Sequence, residues 1–140
     1  MGRTVHITRR VRFNAAHRLW VDAWDDARNE ANFGKCGNAN WHGHNFDLYV
    51  TVKGVPDPVK GYFINFDEFK RILKECIVEE LDHKNLNLDV PWLLGIQPTT
   101  EQVAVAIWDR LLPVLADHGC TLHCVRLHET ENNAASYYGE

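Results

Sequence analysis

Three histidines have the residue type and spacing to hold a metal ion. His42 and His44 stand two apart in His42-Gly43-His44, at the entrance to an alternating apolar run. Side chains at i and i+2 of a strand share one face, so both imidazoles can reach one ion at about 2.0–2.1 Å. Gly43 removes a side chain between them, as a close backbone approach there would require. His17 closes an earlier alternating run, directly after Phe13-Asn14-Ala15-Ala16. If the two runs pair as a hairpin-like unit, the end of the first lies beside the start of the second. Three neutral imidazoles without a fourth protein ligand leave a position for water or substrate, the pattern of a catalytic zinc site.

Cys36 sits just upstream, in the loop Gly34-Lys35-Cys36-Gly37-Asn38. Beside a dication and Lys35 it would react as a thiolate. It is either a fourth zinc ligand or a base, and a tightly bound thiolate would shut the open position, which favours the base. Asp82-His83 offers a second proton-transfer element. The aspartate can orient the imidazole for a relay. The same pair also fits a helix end, with Asp82 capping a loop and His83 complementing the helix dipole. Cys120 and Cys124 are separated by three residues and read as buried strand cysteines rather than a metal or redox pair.

The elements that must position these groups follow from periodicity. Thr4 to Ala16 reads as a strand, with Val5, Ile7, Val11 and Phe13 at odd positions. His42 to Lys53 reads as a second strand through Phe46, Leu48, Val50 and Val52. Between them, Trp20 to Asn40 carries no sustained period, and so long an irregular run is usually functional. Gly54 to Lys60 makes a turn, and Gly61 to Phe66 a short strand leading into a helix over Asp67 to Leu81. The apolar face of that helix is Phe69, Ile72, Leu73, Cys76, Ile77 and Leu81. A loop runs from Asp82 to Pro98. Thr99, with Gln102 at capping-box spacing, starts a second helix that Pro113 and Gly119 end. Strands over Thr121 to Thr130 and Ala134 to Gly139 close the chain around an Asn132-Asn133 turn.

Two strands, two helices and two strands predict an α+β domain spanning residues 1–140, a four-stranded antiparallel sheet with both helices on one face. Such a sheet has two open edges, which assembly into a closed ring would cover. The 140 residues carry a formal charge of -4, with 45% hydrophobic and 24% charged residues. That composition suits a globular core and argues against nucleic acid or an acidic membrane as partner. No 18-residue apolar run occurs, and MGRTVHITRRVRF lacks an apolar signal region, so reduced cysteines and a cytoplasmic location are expected.

The ordered set of segments is more specific than any one of them. Phe13-Asn14-Ala15-Ala16-His17, then Cys36 separated by five residues from His42-Gly43-His44, lead into Leu81-Asp82-His83-Lys84-Asn85-Leu86-Asn87. Pro98-Thr99-Thr100-Glu101-Gln102-Val103-Ala104, Glu129-Thr130-Glu131-Asn132-Asn133 and a terminal Gly139-Glu140 follow. Nearly the whole chain thus resembles the 6-pyruvoyl-tetrahydropterin synthase family, with its 6-carboxytetrahydropterin synthase members. The resemblance implies a tunnelling fold, in which subunits form a β-barrel trimer and two trimers a hexamer, acting on 7,8-dihydroneopterin triphosphate. It implies zinc ligation by His17, His42 and His44. Cys36, Asp82 and His83 match the catalytic groups. Glu129 matches the carboxylate that anchors the pterin, and Thr99, Thr100 and Glu101 match the loop lining its pocket.

The chemistry fits that implication. A carboxylate accepts two hydrogens in a fork from adjacent pterin NH groups. Zinc on the side-chain hydroxyls acidifies the neighbouring C–H, and a base then drives loss of triphosphate. The ring is reduced at the expense of its own side chain, so no nicotinamide or flavin is required. The five-residue gap before His42 resembles the pyruvoyl-forming branch; the carboxy-forming enzymes of queuosine biosynthesis usually have three. Tyr138 stands where a lysine commonly precedes Gly-Glu. His6, His118, His123 and His128 match no site motif; no motif marks the residues that hold the triphosphate, for which Lys35 and Arg18 are candidates. Two other classes use the same histidines: a zinc hydrolase with a water nucleophile, and a non-catalytic zinc-binding module. Neither has a use for Cys36 together with Asp82-His83.

Overall fold

The computed structural model describes residues 2–140. Strand β1 (Val5–His17) and strand β2 (His42–Gly54) pair antiparallel along their whole length, from Val5 opposite Gly54 to His17 opposite His42. Alternation sets the faces: Phe13 and Ala15 of β1 and Phe46, Leu48, Val50 and Val52 of β2 are buried, whereas Thr8, Arg10 and Arg12 are exposed.

The segment between these strands is not irregular throughout. It holds α1 (Asp26–Phe33), capped by the Asp25 carboxylate accepting from Arg28 N–H at 2.8 Å, and a 3-10 turn over Gly34–Gly37. Its apolar periodicity is weak because the residue it buries is Asn29. The expected short strand at Gly61–Phe66 is absent. Asn65 instead caps α2 (Phe66–Leu73), its carboxamide oxygen accepting from Asp67 N–H at 2.8 Å.

The helical run continues through a π turn over Lys74–Val78 into α3 (Glu79–Leu81). Within that turn the Cys76 carbonyl takes a bond from Arg110 Nε at 2.8 Å, and Arg110 also reaches Glu80 at 2.6 Å. Helix α4 (Thr100–Asp117) follows a 3-10 turn at Pro91–Leu93. Pro113 lies inside α4 rather than ending it. It and Asp109, whose carbonyl it leaves unbonded, are both exposed, so water can take the missing bond.

The sheet has five strands, not four, and is mixed. Its order is β3-β1-β2-β4-β5, with β3 (Lys84–Asn85), β4 (Thr121–Thr130) and β5 (Asn133–Tyr137). β3 pairs parallel to β1 at Ala15 and Ala16, and two residues are too few to show a period. Buried residues of the long helical run (Phe69, Ile72, Leu73, Ile77, Leu81) and of α4 (Val103, Ile107, Leu111, Leu115) join the inward strand residues in one core. Helices thus cover one sheet face and leave the Arg10–Arg12 face open, as an α+β fold requires. No helix among the described residues is long and apolar enough to cross a membrane.

Candidate metal centre and active site

The end-to-end register of β1 and β2 places His17 directly opposite His42, with His44 two residues along on the same face. The ring centroids are 4.4 Å apart for His17 and His42, 5.1 Å for His17 and His44, and 4.9 Å for His42 and His44. One ligand atom from each falls within 4.8 Å of the others, so the three can hold a metal ion. The remaining wall is Phe46, whose ring stands 6.0 Å from that of His17.

The ring nitrogens fit that use. His17 is 1% exposed, and its Nδ1–H donates to the Pro98 carbonyl at 2.8 Å. That bond fixes the tautomer and leaves the Nε2 lone pair free. His17 Nε2, both ring nitrogens of His42 and His44 Nε2 are buried without hydrogen-bond partners. Such orphaned ring nitrogens are costly unless an ion or ligand takes them. Burial is the largest influence on all three rings and lowers each below the ordinary histidine value, keeping them neutral as ligation requires. Gly43 is not needed for space: a Cβ there would meet the Ala15 carbonyl at 3.4 Å, an ordinary contact.

Glu129 stands beside the cluster. Its Oε1 lies 3.1 Å from His44 Nε2 but off the axis of a hydrogen bond, so that nitrogen stays unpaired. Its Oε2 accepts from the Thr100 hydroxyl at 2.6 Å. β4 departs from regular pairing with β5 between His128 and Thr130, and a bulge there re-aims the side chain between them. Thr99 does something different from Thr100: its hydroxyl caps α4 by accepting from Gln102 N–H at 3.2 Å. The box is not reciprocal, because Thr99 N–H donates to the Gln97 carbonyl at 2.8 Å. Glu101 is exposed in the first turn of α4.

Cys36 is half-buried on the 3-10 turn and lies outside the convergent donor group. Its carbonyl accepts from Leu19 N–H at 2.8 Å, tying the turn to the residues after His17. Asp82 and His83 stand at the outer edge of β1. Asp82 accepts from Asn14 N–H at 2.8 Å and its other oxygen lies 2.9 Å from His83 Nδ1, while His83 N–H donates to the Asn14 carbonyl at 2.6 Å. The Asn14 bond, ahead of the His83 contact, holds the Asp82 carboxyl below its ordinary range. Among the described residues no hydrogen bond joins this pair to Cys36 or to the three histidines. Arg18 spends its Nε on the Gly37 carbonyl at 3.0 Å and its guanidinium over the Trp20 ring at 4.1 Å; Lys35 is exposed.

Backbone strain marks the same neighbourhood. Trp41, immediately before His42, has φ 67°, and His83 has φ 60°; they are the non-glycine residues with positive φ among those described. Bulky side chains adopt that region only where the surroundings impose it. Sequence reading missed Asn29, Asn87, Gln97 and Pro98, which hold the site's loops. Their signal was only that amide and proline residues recur in segments without an apolar period.

Known proteins carry the same architecture and much of the same sequence. A solved structure of 6-pyruvoyl tetrahydropterin synthase from Caenorhabditis elegans superposes with a TM-score of 0.91 and 33% identity, covering 99% of this chain and 98% of that one. The 6-pyruvoyl tetrahydrobiopterin synthase of Dictyostelium discoideum is 47% identical over the full length of both chains. That of Pongo abelii is 46% identical over 96% of this chain and 91% of its own. The sequence model that describes this group as 6-pyruvoyl tetrahydropterin synthase matches residues 6–140. Fold and near-half identity agree, and the chain belongs to the 6-pyruvoyl tetrahydropterin synthase family.

Proposed function

We propose that this chain is a zinc-dependent lyase that converts 7,8-dihydroneopterin triphosphate into 6-pyruvoyl-tetrahydropterin and free triphosphate. The observation that carries the reading is the set of orphaned imidazole nitrogens converging beside a carboxylate already oriented by a hydroxyl. His17, His42 and His44 would hold the zinc. Bound there, zinc supplies a Lewis acid for the substrate's side-chain hydroxyls and so acidifies the adjacent C–H. Glu129 accepts the paired NH groups of the pterin ring, steadied by Thr100, with Thr99 and Glu101 beside it at the start of α4. Cys36 removes the side-chain proton. His83, oriented by Asp82 at 2.9 Å, moves a proton at the other face of the substrate.

Cys36 serves as base rather than ligand in this reading, since its sulfur is not among the converging donors. The enzyme works as a cytoplasmic homohexamer, whose subunits close the open sheet edges. The five residues between Cys36 and His42 favour the pyruvoyl product over the 6-carboxy one.

The test is to supply 7,8-dihydroneopterin triphosphate and identify the pterin product by mass alongside triphosphate release. Cys36→Ala should keep its zinc and lose roughly 10²–10⁴-fold in rate, the usual effect of removing a general base. His42→Ala should lose zinc and turnover together. An alanine variant at position 36 with near wild-type turnover would remove the thiol from the mechanism.

A further inference from the structure

Beyond His17 the chain runs on for four residues, Arg18 to Val21, without a strand beside it. Carboxamide side chains pair its backbone instead. Asn87 accepts from Arg18 N–H at 2.9 Å and donates to the Arg18 carbonyl at 2.9 Å. Gln97, with its amide turned so that each end meets its complement, bonds Trp20 N–H and C=O at 3.2 Å each. Asn29 bonds Val21 N–H at 2.8 Å and the Val21 carbonyl at 3.0 Å. A carboxamide offers a donor and an acceptor side by side, so each clamp reproduces the two-bond exchange of an antiparallel ladder. The one residue left between them, Leu19, gives its N–H to the Cys36 carbonyl.

These clamps stand outside the main hydrophobic core. No residue from 18 to 41 belongs to the hydrophobic core. Asn29 and His17 are the buried polar residues among those described, at 0% and 1% exposure. Asn29 also donates to the Asp25 carbonyl at 3.2 Å, so one side chain joins the start of α1 to the extended segment. Helix α1 then leads directly into the 3-10 turn that carries Cys36. Removing the Asn29 amide would leave Val21 N–H and C=O unpaired in a half-buried segment, and the loop would open to find water for them.

We propose that Asn29, seconded by Gln97, is a positioning residue for Cys36. The carboxamides set where the thiol stands, and the chemical step depends on them while metal binding does not. This rests on the elimination reading above, in which Cys36 takes the proton. It adds that the protein holds its base with polar clamps in place of core packing.

The experiment uses the zinc-loaded full chain with Asn29→Ala, Gln97→Leu and Gln97→Glu. Zinc content, kcat and KM for triphosphate release, and the iodoacetamide alkylation rate of Cys36 mapped by mass spectrometry are read for each. Expected are wild-type zinc, a KM within about threefold, and a kcat lower by roughly 10–100-fold, as misplacement by about an ångström produces. The Cys36 alkylation rate should change several-fold. Gln97→Glu keeps the acceptor for Trp20 N–H and should fall between wild type and Gln97→Leu, which a general loss of stability would not grade in that order. Wild-type kcat and alkylation in both Asn29→Ala and Gln97→Leu would overturn the proposal. So would zinc lost in step with kcat, or an effect confined to KM. Should the wild type release no triphosphate, the reaction reading fails by itself and the alkylation rates alone decide the clamp. If Asn29→Ala does not fold, the two Gln97 variants decide it.

Discussion

A single side-chain hydrogen bond prepares each half of the site. The Pro98 carbonyl selects the His17 tautomer, and the Thr100 hydroxyl holds one oxygen of Glu129 so that the other faces the histidines. Both partners come from the residues that start α4, so one helix N-terminus orients the proposed metal ligand His17 and the carboxylate proposed to take the pterin together. Thr100→Val keeps the shape and removes the hydroxyl. A hydrogen bond to a charged group contributes about 1.5–3 kcal/mol, so KM for the pterin should rise roughly tenfold or more while zinc content stays unchanged. Steady-state kinetics with metal analysis checks it, and an unaltered KM would separate Thr100 from substrate binding.

Elements are joined where α4 ends. His118 donates through Nδ1 to the Val114 carbonyl and through Nε2 to Glu68 of α2, each at 2.9 Å. The Val114 bond first, then the Glu68 carboxylate, raise the imidazole above its ordinary value. A raised histidine stabilises the fold fully below its unfolded pKa, near 6.5, and the contribution fades as pH climbs through the higher folded value. His118→Ala should therefore lower the melting temperature at pH 6 and have a shrinking effect towards pH 9. Thermal melts across that range test the sign, and a difference that widened with pH would refute it. At this scale the sequence was legible where burial follows a period. β1, β2 and the face of α2 announce themselves by alternating or helical apolar residues, and pairing β1 with β2 brings His17 to His42. α1 was hidden because it buries an asparagine, and β3 because two residues carry no period. Pro113 signals a helix end only when its missing bond is buried, and here it faces water. The histidine cluster was thus readable, whereas the carboxamides that carry the Cys36 turn have no spacing rule to betray them.

The whole molecule leaves one sheet face and two sheet edges open. Arg10 and Arg12 both reach Asp47 on that face, at 2.7 and 2.9 Å, so it is polar without being uniformly charged. A face of this kind suits the inside of a closed ring better than a dry interface, and light scattering should give a mass about six times the 16.1 kDa chain. A mass near a single chain would rule out the ring. The π turn between α2 and α3 bears on how the length of such a chain can vary. It holds one residue more than a regular turn while the flanking helices keep their apolar faces aligned, with Leu73, Ile77 and Leu81 all at 0% exposure. It is a place where a residue can be lost without turning anything beyond it. Deleting the exposed Glu75 should restore a regular helix, release the Cys76 carbonyl from Arg110, and still deliver Asp82 and His83 to the edge of β1. Deleting the likewise exposed Asp109 from α4, which has no such slack, would swing its second half by about 100° and carry Leu111 and Leu115 out of the core. The first variant should purify as a cooperatively melting, zinc-binding protein and the second should not, so that insertions and deletions in this fold are expected to gather at the π turn.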